Sequence, residues 1–302
     1  MSTTESDRIA AAPAPDTAAR FRFPRFTGLE RLGFGLLGLV AVYLFVVPLL
    51  PGYDPYTQDL SATLAPPFTD AQHVLGTDML GRDLASRLAL GGQVSLGIVI
   101  VVVVFNALIG MATGMIAGYA GGRVDNALMA WADVQLAMPV ILVLIAMSAA
   151  LGPSVWLMVV TLAATFWVGY ARVARSTAMS LRERDFVVAP RIQGATPVWT
   201  VTTHIAPHVS VQMLILASAD IGGVLLLTSS FDYLGLGVQP PTPSWGLLIS
   251  EGQKYVRDAP YLAIIPGIAI FLVVIGTNLV SQRFTAEREL HTLRRRKRKA
   301  AR

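Results

Sequence analysis

Six apolar stretches, at residues 32–50, 94–118, 127–151, 154–171, 209–231 and 260–280, alternate with polar connections along the chain. Each is long enough, or nearly so, for the about 20 residues with which a helix crosses roughly 30 Å of hydrocarbon. The pattern predicts an all-α polytopic membrane protein with six transmembrane helices. Outside the stretches no segment is long enough to bury a core of its own. The expected division is a polar, basic segment at 1–31, a membrane domain at 32–281 and a basic tail at 282–302. Residues 1–20 are Ala/Pro-rich and read as disordered, and residues 21–31 interleave Phe with Arg, which suits the headgroup layer. No A-x-A-like site follows the first apolar run, so that run reads as an uncleaved anchor.

Composition agrees: 54% of residues are hydrophobic and 14% are charged, against about 25% charged in soluble domains. Lysine and arginine set the orientation, because such charges stay in the cytoplasm during insertion. Twenty fall on one set of alternating connections and four, Arg82, Arg87, Lys254 and Arg257, on the other. Both termini and the connection at 182–207 are therefore expected inside the cell. The basic run at 294–299, RRRKRK, fits anionic lipid at the inner face better than nucleic acid.

The 182–207 connection, RERDFVVAPRIQGATPVWTVTTHIAP, reads as two short helices hinged at Gly194. Thr196 is a suitable N-cap and Pro197 fits the first helical position. Pro190 should kink or end the first helix, and the second should run to about Ile205. Rigidity of the pair is expected from the Thr196 cap and from packing of Gly194. The longest external connection contains LGTDMLGRDLASRLALGGQVSL, in which Gly76 and Gly81 permit turns and Asp78, Arg82, Asp83 and Arg87 bring charge. Asp83 and Arg87 are four apart and would pair on a helix. That pattern suits either an interfacial helix with a surface ion pair or a part in substrate passage. In the second stretch Gly110, Gly114 and Gly118 recur every fourth residue, a spacing that lets helices approach closely in lipid.

Two acids lie within apolar stretches, Asp133 and Asp220. A carboxylate at mid-helix costs about 2.5 to 3.5 kcal/mol to insert, so each should face protein or water. Asp220 either lines a polar path or is satisfied by Ser218, Thr228 or a neighbouring helix. Asp133, with no basic residue close to it in sequence, reads as structural. In the second external connection Trp245 is expected as an interfacial anchor, with Glu251, Lys254 and Asp258 on an exposed helical turn.

Catalytic signatures are missing. The chain has three lysines, none in a phosphate-cradling loop, so it should not hydrolyse ATP itself. His204 and His208 have a metal-binding spacing, but no Cys or carboxylate completes a ligand set and Pro207 should interrupt their helix. There is no cysteine, which excludes disulfides and thiolate sites. No metal or cofactor is expected on this chain. A self-contained channel or secondary transporter would call for internal repeats or charged relays, and no clear repeat at a half-chain offset is found.

The hairpin resembles the EAA loop in permease subunits of binding-protein-dependent ABC importers, with Ala189, Gly194, Ile205 and Pro207 matching its pattern. LGTDMLGRDLASRLALGGQVSL, YAGGRVD, SLRERDF and LGLGVQPPTPSWG, in that order over about residues 30–285, are similar to the second permease of dipeptide, oligopeptide and nickel importers. Val188 and Pro190 depart from the Glu-Ala-Ala pattern and Gln193 from the Leu before the glycine. Thr228, Asp232 and Tyr233 depart from the family's Glu and LSFLGLG motif.

The resemblance implies a type I ABC importer permease fold in a bacterial inner membrane. It implies half of a translocation path for peptides, with nickel or another small solute as the alternative. Partners would be a second homologous permease, two ATPases carrying ATP and magnesium, and an external binding protein. The ATPase-coupling residues it implies are Arg182, Glu183, Asp185, Ala189, Arg191, Gly194, Ala195, Thr196, Pro197, Ile205 and Pro207.

Overall fold

The computed structural model describes residues 28–300 except residue 71, with side chains described to residue 281. The Ala/Pro-rich segment 1–20, most of 21–31 and the side chains of the basic run at 294–299 lie outside the described residues. Ten α-helices follow one another: α1 Gly28–Val46, α2 Leu84–Ala120, α3 Gly122–Leu136, α4 Val140–Leu151, α5 Val155–Arg182, α6 Asp185–Ile192, α7 Pro197–Thr200, α8 Ala206–Tyr233, α9 Trp245–Gln253 and α10 Tyr261–Ala300. Five helical segments are long and apolar enough to cross a membrane. Helices α3 and α4 pass the same test only together, as a pair bent by 75° at a short break, and count as a sixth span when taken as one.

The break is a departure from the continuous span expected at 127–151. Pro139 explains it, because its ring holds φ near −65°, removes an N–H and biases the preceding residue away from helix. Pro139 itself is extended and serves as the N-cap position of α4. A second departure concerns helix length. α2 has 37 residues and begins ten residues before the predicted start, and α5 continues eleven residues beyond residue 171. The extension of α5 has a small-residue face, with Ala171, Ala174 and Ala178 buried.

That face meets the glycines of α2. A β-carbon placed on Gly110 would overlap Tyr170 and the Trp167 carbonyl, and one on Gly114 would overlap the Ala171 carbonyl and lie 2.6 Å from the Ala174 Cβ. At Gly118 it would lie 2.9 Å from the Ala178 Cβ. The four-residue spacing thus lets α2 and α5 cross in close backbone contact. Gly97, in the same stretch, has open space around it and takes no part.

The core of the outer half is formed where α1, α2, α5, α8, α9 and α10 converge, with Val99, Val102, Met158, Leu162, Leu225, Phe231 and Trp245 buried. A smaller cluster of Tyr170, Ala174, Val187, Ile205 and Val209 lies apart from it and carries the hairpin at 182–207.

Candidate functional site

The hairpin is built from three pieces. Helix α5 ends at Arg182, whose guanidinium donates to the Gly118 carbonyl at 3.3 Å and lies 3.9 Å from Glu183. Helix α6 starts with Asp185 in its first turn, where a carboxylate is favoured by the helix dipole. Val187 is its buried residue, packed with Ile205 and Val209, which fixes α6 against the base of α8. Arg191 stacks over the Tyr119 ring at 5.5 Å and ties α6 to the end of α2.

Pro190 lies inside α6, which runs on to Ile192, so it does not end the helix where the sequence predicts. Its carbonyl accepts from Ala195 N at 2.9 Å, and Gly194 N donates to Arg191 at 3.1 Å. Gly194 sits at φ +90°, a region L side chains rarely adopt, yet no atom lies within 4 Å of where its Cβ would be. The expectation that Gly194 packs is therefore corrected: it is required for chain direction, not for close contact. Thr196 caps α7 by accepting from Trp199 N at 3.3 Å, with Pro197 in the first turn.

The second helix of the pair is longer than predicted. α7, a π-turn at Val201–Ile205 and α8 form one continuous 37-residue segment, Pro197–Tyr233. Pro207 falls in the first turn of α8, just after the π-turn, and does not interrupt the rod. The widened turn accommodates a residue that lacks an N–H and whose ring would otherwise meet the carbonyl four residues back. His204 and His208 stand beside Phe186, and His204 meets Trp199 edge-on at 5.1 Å. Among the described residues no three His, Cys, Asp or Glu are grouped as a metal site.

At the tip, Ile192 is 82% and Val198 74% exposed, beside a shallow concavity lined by Pro190, Gln193, Gly194, Ala195 and Trp199. An apolar tip on a polar face is a surface shaped for a partner. Its base is braced by Arg175, which forms a two-point pair with Asp125, the Nη2–Oδ2 arm being 2.6 Å. Sequence reasoning did not single out this pair. YAGGRVD and the Arg175 region lie some 50 residues apart, and only the glycine-mediated approach of α2 and α5 brings them together.

At the far end of the bundle from the hairpin, the charges of the connection after α1 form one buried cluster. Asp78 accepts from Leu80 N at 2.8 Å, Arg82 N at 3.0 Å and Arg82 Nε at 2.7 Å, and also from Arg87 Nη1. Arg87, only 1% exposed, donates its other arm to Glu251 at 3.0 Å. Gly76 and Gly81 have positive φ, and a side chain on either would overlap the Ala65 or Asp59 carbonyl.

Three expectations are corrected here. Asp83 does not pair with Arg87; it caps α2 through Ser86 N at 2.7 Å and meets His73 at 3.2 Å. Glu251 does not belong to an exposed turn. Trp245, 1% exposed, is not an interfacial anchor: its indole donates to the Leu88 carbonyl at 2.9 Å, and its ring fills the space left by Gly92. A buried network in place of a surface ion pair joins the loop after α1 to α9.

The intramembrane acids differ from each other. Asp133, which has no basic residue close to it in sequence, pairs across the fold with Arg172 at 2.7 Å, 39 residues away, and the pair is largely exposed. Asp220 is half-buried and lines a cavity of about 450 Å³ with residues of α3, α4, α5 and α8. Ser218 and Thr228 donate to carbonyls of their own helix and do not satisfy it, whereas Tyr170 of the neighbouring α5 lies against its carboxylate.

A bundle of membrane-length helices, with a bent helix pair beside an intramembrane carboxylate, a buried charge cluster on one side and an apolar-tipped hairpin on the other, defines the class: a polytopic integral membrane protein. Residues 110–286 match the family described as binding-protein-dependent transport system inner membrane component, and the chain belongs to it. It is 38% identical over 250 residues to the nickel transport system permease protein NikC of Escherichia coli (strain K12), covering 83% of this chain and 90% of that one. It is 35% identical over 244 residues to the probable D,D-dipeptide transport system permease protein DdpC of the same strain, 81% of each chain. With the di/tripeptide transport system permease protein DppC of Pseudomonas aeruginosa (strain UCBPP-PA14) it shares 33% over 256 residues, 82% of this chain and 84% of the relative.

A solved structure titled as inward-facing conformations of the MetNI methionine ABC transporter superposes with a TM-score of 0.51 at 18% identity, covering 67% of this chain and 95% of that one. The fold is thus that of type I ABC importer permeases. The protein is a multi-pass permease subunit of the bacterial inner membrane, in a family that works with ATPase subunits and a substrate-binding protein.

Proposed function

We propose that this chain forms half of the translocation path for dipeptides or oligopeptides, paired with a second, homologous permease. Two ATPases bind beneath it and carry the ATP and magnesium, and an external binding protein delivers the cargo. This chain catalyses nothing and binds no cofactor; it transmits the ATPases' motion through residues 182–207. The observation that carries the reading is the hairpin tip, where the positive φ of Gly194 turns exposed Ile192 and Val198 outward on a base fixed by Val187. The relatives named for peptide transport support the cargo class. The relative named for nickel transport favours nickel as the second reading.

The test is reconstitution in proteoliposomes with the second permease, the ATPases and the binding protein. ATP-dependent dipeptide uptake is expected. In that system Gly194→Val should cut uptake and peptide-stimulated ATP hydrolysis roughly tenfold, because a β-branched residue at this φ costs about 1–2 kcal/mol and displaces the tip. The variant should still co-purify with the second permease. Normal coupled hydrolysis in it would remove the hairpin from the drive path, and solute flux through this chain alone without ATP would overturn the function.

A further inference from the structure

We propose that the cavity at the α3–α4 break is a subsite for the protonated amino terminus of a peptide, with Asp220 as its counter-charge. The inference rests on the peptide reading above and gives it a recognition element within the membrane.

Three observations converge on one place. Irregular backbone at membrane depth persists only where it is enclosed by protein or lines a watery cavity, and the break lines this cavity with Met138 and Val140. Asp220 lines the same cavity and is the one ionisable group among its lining residues, in a segment where a carboxylate is costly to insert. Helix α3 ends at Leu136, which lines this cavity, and a helix C-terminus carries partial negative charge on its last carbonyls. Carbonyls at an unwound helix end together with a carboxylate make a cation-attracting site.

The chemistry narrows the cation. A bare divalent metal takes several hard or imidazole ligands, and the cavity supplies one carboxylate with no histidine in its lining. An ammonium group asks for three acceptors around a single charge, which Asp220 and the carbonyls can share. The remaining walls, Met138, Phe166 and Leu216, are apolar and suit the side chain next to that amine. The Tyr170 hydroxyl of α5 is buried beside Asp220 and interacts with its carboxylate, holding it at the cavity while leaving further acceptor capacity for an amine.

The experiment compares uptake of Ala-Phe with propionyl-phenylalanine, which keeps the shape and lacks the amine, by the complete reconstituted importer. The binding protein is common to every arm, so its own preference cancels when wild type and variant are compared. Asp220→Asn should lose about tenfold of the preference for Ala-Phe, the scale of one charge-assisted hydrogen bond, and Asp220→Glu should regain part of it. An equal preference in wild type and Asp220→Asn overturns the subsite while ATP-driven peptide uptake leaves the importer function standing. Leu216→Lys, which places an ammonium one helical turn from Asp220, keeps the proposal testable where Asp220→Asn fails to assemble. It should block Ala-Phe uptake roughly tenfold, and undiminished uptake in an assembled complex overturns the assignment. Wild-type uptake of Ni²⁺ with none of Ala-Phe overturns the peptide reading and the subsite together.

Discussion

Gly114→Leu should yield little folded protein, whereas Gly97→Leu in the same helix should behave as wild type. At Gly114 the first added carbon already collides with the Ala171 carbonyl, and backbone cannot move aside as a side-chain end can. Relief requires α2 and α5 to separate, which empties the contacts of Ala174 and loosens Arg175 from Asp125 below it. Overpacking costs about 1–3 kcal/mol where neighbours can yield, and a clash against helix backbone belongs at or above that upper end. At Gly97 a side chain enters open space. Monodisperse yield in detergent and the thermal unfolding midpoint of the purified chain measure the difference. Equal stability of the two variants would refute the view that the glycine row fixes this crossing.

The second large effect is expected at Arg87. Replacing it with Met leaves Glu251 with Arg82 alone at 3.7 Å and takes one of two guanidinium groups from buried Asp78. Removing one member of a buried ionic cluster typically costs about 3–5 kcal/mol, because the remaining charge is left desolvated and unpaired. Arg87→Lys should recover only part of this, since an ammonium is a point charge and cannot span Asp78 and Glu251 as the fork does. Adding Glu251→Gln to Arg87→Met should restore a measurable share of the lost stability, because Asp78 and Glu251 would otherwise share the single remaining Arg82 and leave one surplus negative charge. A double variant no more stable than the single one would show that Arg87 acts through packing alone.

Much of this was legible in the residues. Runs of apolar side chains marked every membrane segment, and the Gly110, Gly114 and Gly118 spacing pointed to a close helix contact before its partner was known. Thr196 and Pro197 announced the start of α7 because capping is a local interaction, set by neighbours within one turn. The failures share the opposite property. Arg87 with Glu251, Arg172 with Asp133 and Arg175 with Asp125 are separated by 164, 39 and 50 residues, and no spacing rule reaches across such distances.

Local rules also erred where tertiary structure absorbed their cost. Pro207 should stop a helix, and a π-turn let it continue; Trp245 should sit at an interface, and Gly92 gave it a buried berth. At the hairpin, the family pattern pointed to Gly194 but not to the reason for it. Open space around the residue, with φ at +90°, separates a conformational requirement from a packing one.

The unbroken Pro197–Tyr233 segment has a mechanical consequence. At 1.5 Å per residue its 37 residues extend about 55 Å, more than the thickness of a bilayer with its headgroups. Trp199 rides near one end of this beam and Asp232 near the other, where Gly246 of α9 rests directly on Ser229 and Asp232. A beam pivoting near mid-depth moves its two ends in opposite senses at the same instant. If the proposed drive through the hairpin turns this segment as one piece, opening toward one compartment and sealing from the other become a single stroke of one part.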